Sequence, residues 1–253
     1  MEAITVERVR ERRTTPAAAV VAYVGGAAFL VAAVWSTLVS SGVTVGSEPA
    51  QNLKLSAHQN ELIYLHWLIA RQPQERLYTG IAIIAFLCLA ATAISIRTRR
   101  GSALAALGAE AVAVGVVLWV TESVAHLGAN YGIGLLTTHD YPTETISGIG
   151  FTIDMITRAL EMTAFAILGL GALAFALDAF RGTPRRPRWG ALGAAIGIAL
   201  LVGSWSNLTG IGSLGDVLVP LVGAILLPVW MWWSAAMLRP NDREAERALT
   251  TLP

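Results

Sequence analysis

Six long apolar segments, separated by short clusters of arginine, constrain this 253-residue chain more than any other feature. A helix needs roughly 20 apolar residues to cross the hydrocarbon core of a bilayer. Lipid offers no partner to an unpaired backbone group, so each span must be helical. Only 14% of the residues are charged, against about 25% in soluble domains. The sequence therefore predicts an all-α, polytopic membrane helix bundle with six transmembrane helices, at about 17–40, 77–96, 103–126, 149–178, 190–208 and 215–238.

The arginine clusters predict an orientation, because short loops rich in Lys and Arg remain in the cytoplasm. One side of the predicted bundle carries Arg8, Arg10, Arg12, Arg13, Arg97, Arg99, Arg100, Arg181, Arg185, Arg186, Arg188, Arg239, Arg243 and Arg247. The other side carries Lys54, Arg71 and Arg76. We therefore expect both termini in the cytoplasm, with a basic segment at 1–16 and a tail at 239–253 flanking a membrane domain at 17–238. The near absence of lysine, with abundant alanine and glycine, favours a bacterial protein and hence the plasma membrane.

Two larger loops, at about 41–76 and 127–148, are predicted on the outer side. Within the first, the polar residues His58 to Glu61 are followed by the apolar stretch Leu62 to Ala70. This segment is too short to span the bilayer and is followed by Arg71 and Pro73. Tyr64 and Trp67 are residue types that favour the headgroup level. The run predicts a short interfacial helix that ends before Pro73.

Ionisable residues inside the predicted spans point to a site, because they are costly in lipid and are usually functional. In span four, Asp154, Arg158 and Glu161 follow an i, i+4, i+7 spacing and share one helical stripe. Span three carries Glu110 and Glu122, with His126 four residues after Glu122. A rise of about 1.5 Å per residue puts Arg158 near mid-membrane and Glu110 at the level of Glu161. These six residues are predicted to form a polar column that opens on the outer side.

The charge balance of this column leaves two interpretations open. One arginine faces four carboxyl groups, and four ionised acids around one cation would be prohibitive in a low dielectric. Protonation of some acids or the presence of a bound cation would resolve the excess, as in a proton relay or a cation site. The structural alternative is that Arg158 pairs with Glu161 and Glu122 and locks two helices together.

The residues do not identify a cofactor. Cys88 is the only cysteine, so a cysteine zinc site is excluded, and the histidines His58, His66, His126 and His139 lack the spacing of helix-borne metal ligands. No metal site is predicted, while a haem held by a single histidine would leave no spacing pattern. There is no basic tract with interleaved aromatics, so nucleic acid is not an expected partner. The lipid bilayer is expected, and a small solute, a lipid or a partner subunit remain open.

The region from Leu77 to Leu238 resembles small polytopic bacterial membrane proteins that are grouped as a domain of unknown function. The resemblance is carried by the Leu-Gly-Leu-Gly stretch at Leu168 to Gly171, by Pro187-Arg188-Trp189-Gly190, and by the span that bears Gly193 and Gly197. It implies a polytopic bundle and no known activity.

Three functions stay open from the sequence. The first is a protein that binds or moves a small cation or a proton-linked solute at the outward-facing acid, arginine and histidine site. The second is a membrane-embedded enzyme that acts on a lipid or isoprenoid, with a buried carboxyl as general acid. The third is a structural or accessory membrane subunit. Whether the protein is an enzyme is not decided, although catalytic triads, phosphate loops and zinc-protease motifs are all missing from the sequence.

Overall fold

The computed structural model describes residues 2–42, 54, 56–139, 141–182, 186–209 and 214–239. Its helices are α1 (Glu2–Ser40), α2 (Ala57–Arg100), α3 (Ala103–Thr138), α4 (Thr143–Arg181), α5 (Pro187–Thr209), α6 (Leu214–Leu221), a π-helix (Val222–Leu226) and α7 (Leu227–Leu238). The predicted tail after Arg239, and parts of the predicted loops, lie outside the described residues.

The prediction of six spans in an all-α bundle is confirmed. Six helical segments are long and apolar enough to cross a membrane: Ala17–Val39, Ile69–Arg100, Ala103–Thr137, Thr143–Arg181, Pro187–Thr209 and Val217–Leu238. Large apolar side chains face outward along them, such as Val117, which is 63% exposed. An apolar exterior on this scale is what lipid, not water, would solvate.

The six spans form a closed ring. Each span packs against its neighbours in sequence, and the last span, made of α6, the π-helix and α7, closes the ring against α1. Glycines permit the closest approaches: a Cβ at Gly169 of α4 would lie 2.9 Å from the Gly197 carbonyl oxygen of α5. Gly26 of α1 leaves room for the Trp232 indole, whose Nε1 donates to the Tyr23 carbonyl oxygen over 3.2 Å. Small residues thus bring the backbones together, as is usual between helices in lipid.

At one end of the ring, which we call the arginine-rich end, α2, α3 and α4 are tied together by Asp178. This carboxylate is 2% exposed and pairs with Arg100, while Ser102 at the N-terminus of α3 donates to it. Arg100 also donates to the Asp178 carbonyl oxygen over 3.1 Å. Partial burial and the nearby Arg100 and Arg99 lower the pKa of the Arg186 guanidinium beside them. Three of the arginines predicted to share one face, Arg99, Arg100 and Arg186, thus lie near one another at this end.

At the opposite end, α2, α3 and α4 continue well beyond the other spans. Trp35 of α1 donates to the Gln74 carbonyl oxygen, and Asn207, near the end of α5, donates to Met162. Because α1 ends five residues past Trp35 and α5 ends two residues past Asn207, α2 projects beyond α1 by about 18 Å and α4 projects beyond α5 by about 25 Å. We call residues 57–74, 126–138 and 143–160 the extension.

The extension corrects two sequence-based expectations. The run at 58–70 is not a separate interfacial helix, because α2 continues from Ala57 through Pro73 to Arg100. Most of the predicted loop at 127–148 is also helical, and only His139 to Pro142 separate α3 from α4. Proline was expected to end the helix, since it removes one backbone hydrogen bond. The neighbouring α3 instead supports this segment, because Asn130 accepts a hydrogen bond from the Gln72 side chain over 2.6 Å.

The sixth span contains an irregular turn that faces the inside of the ring. In the π-helix, the Leu227 N–H donates to the carbonyl oxygen of Val222, five residues earlier. Pro228 has no N–H that could donate to the carbonyl oxygen four residues earlier, which explains why the regular α-helical hydrogen bonding is interrupted there. Insertions of this kind are frequent at functional sites.

Candidate functional site

A cavity of about 290 Å³, the ring cavity, lies inside the ring and is lined by residues of all six spans. One representative from each span is Phe29, Tyr78, Val112, Glu161, Ile196 and Val222. Aromatic side chains build much of the wall: Phe86 stacks on Trp119 with ring centroids 4.1 Å apart, and Phe29 meets Phe86 edge-on at 5.0 Å. Polar groups enter the wall at the end towards the extension, where Ser36, Thr37, Tyr78 and Glu161 are found.

Glu161 lines this polar end, and two further predicted acids, Glu122 and Asp154, lie within electrostatic range of it. Glu122 is 8% exposed, and Glu161 and Asp154 both lie near enough for their charges to act on it. The hydroxyl of Ser123 donates to Glu122 over 3.2 Å. Tyr78 lies within electrostatic range of both Glu161 and Glu122. The structure therefore places Glu122, Asp154 and Glu161 within electrostatic range of one another.

Arg158 does not fill the role of a central cation. It is exposed, and although Glu161 lies within electrostatic range, no salt bridge joins Arg158 to an acid in the described part of the chain. Arg158 lies 23 residues from Arg181, or about 35 Å along α4. The hydrocarbon core is about 30 Å thick, so Arg158 would lie at the far boundary if the arginine-rich end marks the near one. The position of Arg158 near mid-membrane stays a prediction from the sequence.

Glu110 also departs from the predicted column. It pairs with Arg97 at 3.1 Å, near the arginine-rich end, and its side chain is 62% exposed. Glu110 and Glu122 are twelve residues apart, and at about 100° per residue their side chains differ by about 120° around α3. Glu110 is thus excluded from the group by the same periodicity that brings Glu122 and His126 together.

His126 and Asp154 line a second cavity, the outer cavity, which lies within the extension. Its volume is about 470 Å³, and its wall includes Tyr64, Trp67, Arg71 and Glu75 of α2. The predicted column is therefore divided between two cavities. Asp154 and His126 belong to the outer cavity, Glu161 belongs to the ring cavity, and Glu122 lies close to acids of both.

Several residues of these cavities were not singled out from the sequence. Tyr78 lies next to the predicted acids, and Glu75 and Asn130 belong to a network in which the Asn130 amide donates to Glu75 over 3.3 Å. Arg71 pairs with Glu75 at 2.9 Å. The i, i+4 spacing of Arg71 and Glu75 could have indicated their pairing. Their contact with α3 could not be recognised while residues 58–76 were taken for a loop.

Within the described residues, no three His, Cys, Asp or Glu side chains converge as metal ligands would. No protein-family model matches the sequence, and no match is found among curated proteins or solved structures. The resemblance to bacterial membrane proteins of unknown function remains an expectation from the sequence.

Proposed function

We propose that this chain is a multi-pass protein of the bacterial plasma membrane, with its arginine-rich end in the cytoplasm. The positions of the arginines between and after the spans support this orientation, because translocation of short basic loops is disfavoured. The extension would then project from the outer face of the membrane. Both cavities would be approached from that side, with the polar end of the ring cavity at the level of the outer headgroups.

Within this orientation, we propose that the ring cavity binds a small, mostly apolar molecule that carries a positive charge, such as a lipophilic amine. The observation that carries the proposal is an almost wholly apolar cavity with one carboxyl residue, Glu161, in its described wall. Apolar walls favour an apolar body. A cationic group beside Glu161, with Glu122 behind it, would offset negative charge that has no salt bridge among the described residues.

An isoprenoid or lipid chain is a second candidate ligand, because the same aromatic and aliphatic wall would accept it. In that case Glu161 would serve as a general acid, which a carboxyl in an apolar site can do when it stays protonated. Such an enzyme would convert its ligand, whereas a binding or transport protein would release it unchanged.

The two candidates can be separated by titrating the purified protein in lipid nanodiscs with 1-adamantylamine and with the neutral 1-adamantanol. These ligands share a compact apolar body and differ in charge. We expect the amine to bind at least tenfold more tightly, which corresponds to ~1.4 kcal/mol. Glu161→Gln should abolish this preference. Equal binding of both ligands would reject a cationic ligand, and mass spectrometry of the recovered ligands would reveal conversion.

A matched pair of variants assigns the binding to the ring cavity. Ala172 lines the cavity and is 8% exposed, so Ala172→Phe fills the space where the ligand would lie. Ala236 is exposed on α7, and Ala236→Phe adds the same side chain away from the cavity. Loss of amine binding in the first variant alone is expected. Retention in both would place the ligand elsewhere, while failure of Glu161→Gln to accumulate in membranes would favour a structural role for that acid.

A further inference from the structure

The outer cavity is a built feature of the extension. Gln72 donates to the Asn130 carbonyl oxygen, the Asn130 side chain donates to Glu75, and Glu75 pairs with Arg71. Asn130 is 7% exposed, so this network is largely shielded from solvent. The network connects α2 to α3 and fixes one wall of the cavity, to which α4 adds the exposed residues Phe151 and Asp154.

The charges in this cavity leave a negative excess. Arg71 contributes a positive charge to the wall of the cavity. The carboxylate of Glu75 already balances this charge, with its oxygen 2.9 Å from the Arg71 Nε. Asp154 has no salt bridge within the residues that the structure describes. Glu122 is close enough for its charge to interact with that of Asp154. A cation that entered the cavity would therefore meet a carboxylate that forms no salt bridge among the described residues.

The aromatic side chains of the cavity indicate what kind of cation it would take. Tyr64, Trp67 and Phe151 contribute to the wall, with the Tyr64 and Trp67 rings 5.8 Å apart. The guanidinium of Arg71 already lies 5.0 Å from the centre of the Trp67 ring. Aromatic faces attract weakly hydrated organic cations, and quaternary ammonium groups are recognised in this way. Small metal ions instead require several oxygen ligands, and such a cluster is not found in the described residues.

We propose that the outer cavity is a binding site for an alkylated ammonium group, held between its aromatic wall and the Asp154 carboxylate. The site is distinct from the ring cavity, and the inference holds whichever molecule the ring cavity binds. With the orientation proposed above, it would sample small organic cations on the outer side of the membrane.

The test is isothermal titration of the full chain in nanodiscs with choline, with sodium as the competing ion. Asp154→Asn keeps the shape of the side chain and removes its charge, and we expect at least a tenfold loss of choline affinity. Trp67→Leu should also weaken binding. The matched control is Glu110→Gln, which removes a carboxylate that is exposed near the arginine-rich end, and it should bind choline like the wild type.

Three outcomes would overturn the proposal: unchanged affinity in Asp154→Asn, equal losses in Asp154→Asn and Glu110→Gln, or competition by sodium at the same concentration as choline. Thermal unfolding of each variant distinguishes a lost site from a lost fold. Ala172→Phe, which fills the ring cavity, should leave choline binding intact. A loss of choline binding there would mean that choline occupies the ring cavity, and the outer site would be rejected while the ring-cavity proposal survives.

Discussion

The acids at the two ends of the ring are treated differently by the fold. At the arginine-rich end, Asp178 is almost completely buried and pairs with Arg100, and the more exposed Glu110 pairs with Arg97. At the other end, Glu122 is also buried, yet its hydrogen bond comes from the neutral hydroxyl of Ser123. Glu122 and Glu161 have no salt bridge within the described part of the chain.

This contrast separates two uses of a carboxylate in a membrane protein. A buried acid with a cation and hydrogen-bond donors around it holds helices together, because removing either partner leaves a buried charge unpaired. A buried acid among other acids contributes little to stability, since its ionised form is poorly solvated. The cationic ligand proposed for the ring cavity would account for its presence. Amide substitutions at matched positions can break or sharpen this comparison.

The largest effect is expected from Asp178→Asn. The substitution removes the charge that faces Arg100, whose side chain is only 12% exposed, and leaves a largely buried guanidinium without its counterion. We expect a loss of about 3 kcal/mol in the free energy of unfolding, measured by thermal or denaturant unfolding in detergent. A double variant, Arg100→Leu with Asp178→Leu, should recover much of this stability. If Asp178→Asn unfolds like the wild type, the ion pair does not hold this end together.

A smaller effect of opposite sign is expected from Glu122→Gln. The amide replaces a carboxylate that lies near two other acids, and its oxygen can still accept from Ser123. Stability should stay the same or rise by about 1 kcal/mol, because a poorly compensated charge is removed. The same unfolding assay provides the comparison. Destabilisation as large as that of Asp178→Asn would mean that Glu122 is part of the structural framework.

The smallest effect is expected from Glu110→Gln. Its ion pair with Arg97 is largely exposed, and exposed pairs contribute about 0–1 kcal/mol. The midpoint of unfolding should shift little, and less at high salt because exposed charges are screened. If this variant is instead as unstable as Asp178→Asn, exposure would not be what separates structural acids from peripheral ones.

Much of the fold could be predicted, because each span is a continuous apolar run bounded by charges. The lengths of α2, α3 and α4 could not be predicted from the sequence. Hydropathy marks where lipid begins and ends, whereas a helix can continue into water when neighbouring helices support it. The hydrogen bonds of Asn130 to Gln72 and Glu75 are such support, and they join residues more than fifty positions apart in the sequence.

The candidate site was predicted in part. Helical periodicity predicted that Glu122, Asp154 and Glu161 lie near one another, and the structure places them within electrostatic range. The same periodicity could have excluded Glu110. The exposure of Arg158 could be recognised only from the structure. Around α4, Arg158 lies about 20° from Gly169, on the face that contacts α5 at Gly197. Because α5 ends at Thr209, it does not cover this face of α4 beyond the level of Met162.

The sequence by itself determined the apolar surroundings of the helices, the number of spans and the position of most of the described arginines at one end, because these follow from hydropathy and from local charge. Only the tertiary structure decided which acids are compensated, where the cavities lie and which polar residues line them. Compensation depends on side chains from different helices meeting at the same height. That height is set by close packing at small residues and by where each neighbouring helix ends. Local sequence patterns predict neither the packing nor the relative helix ends.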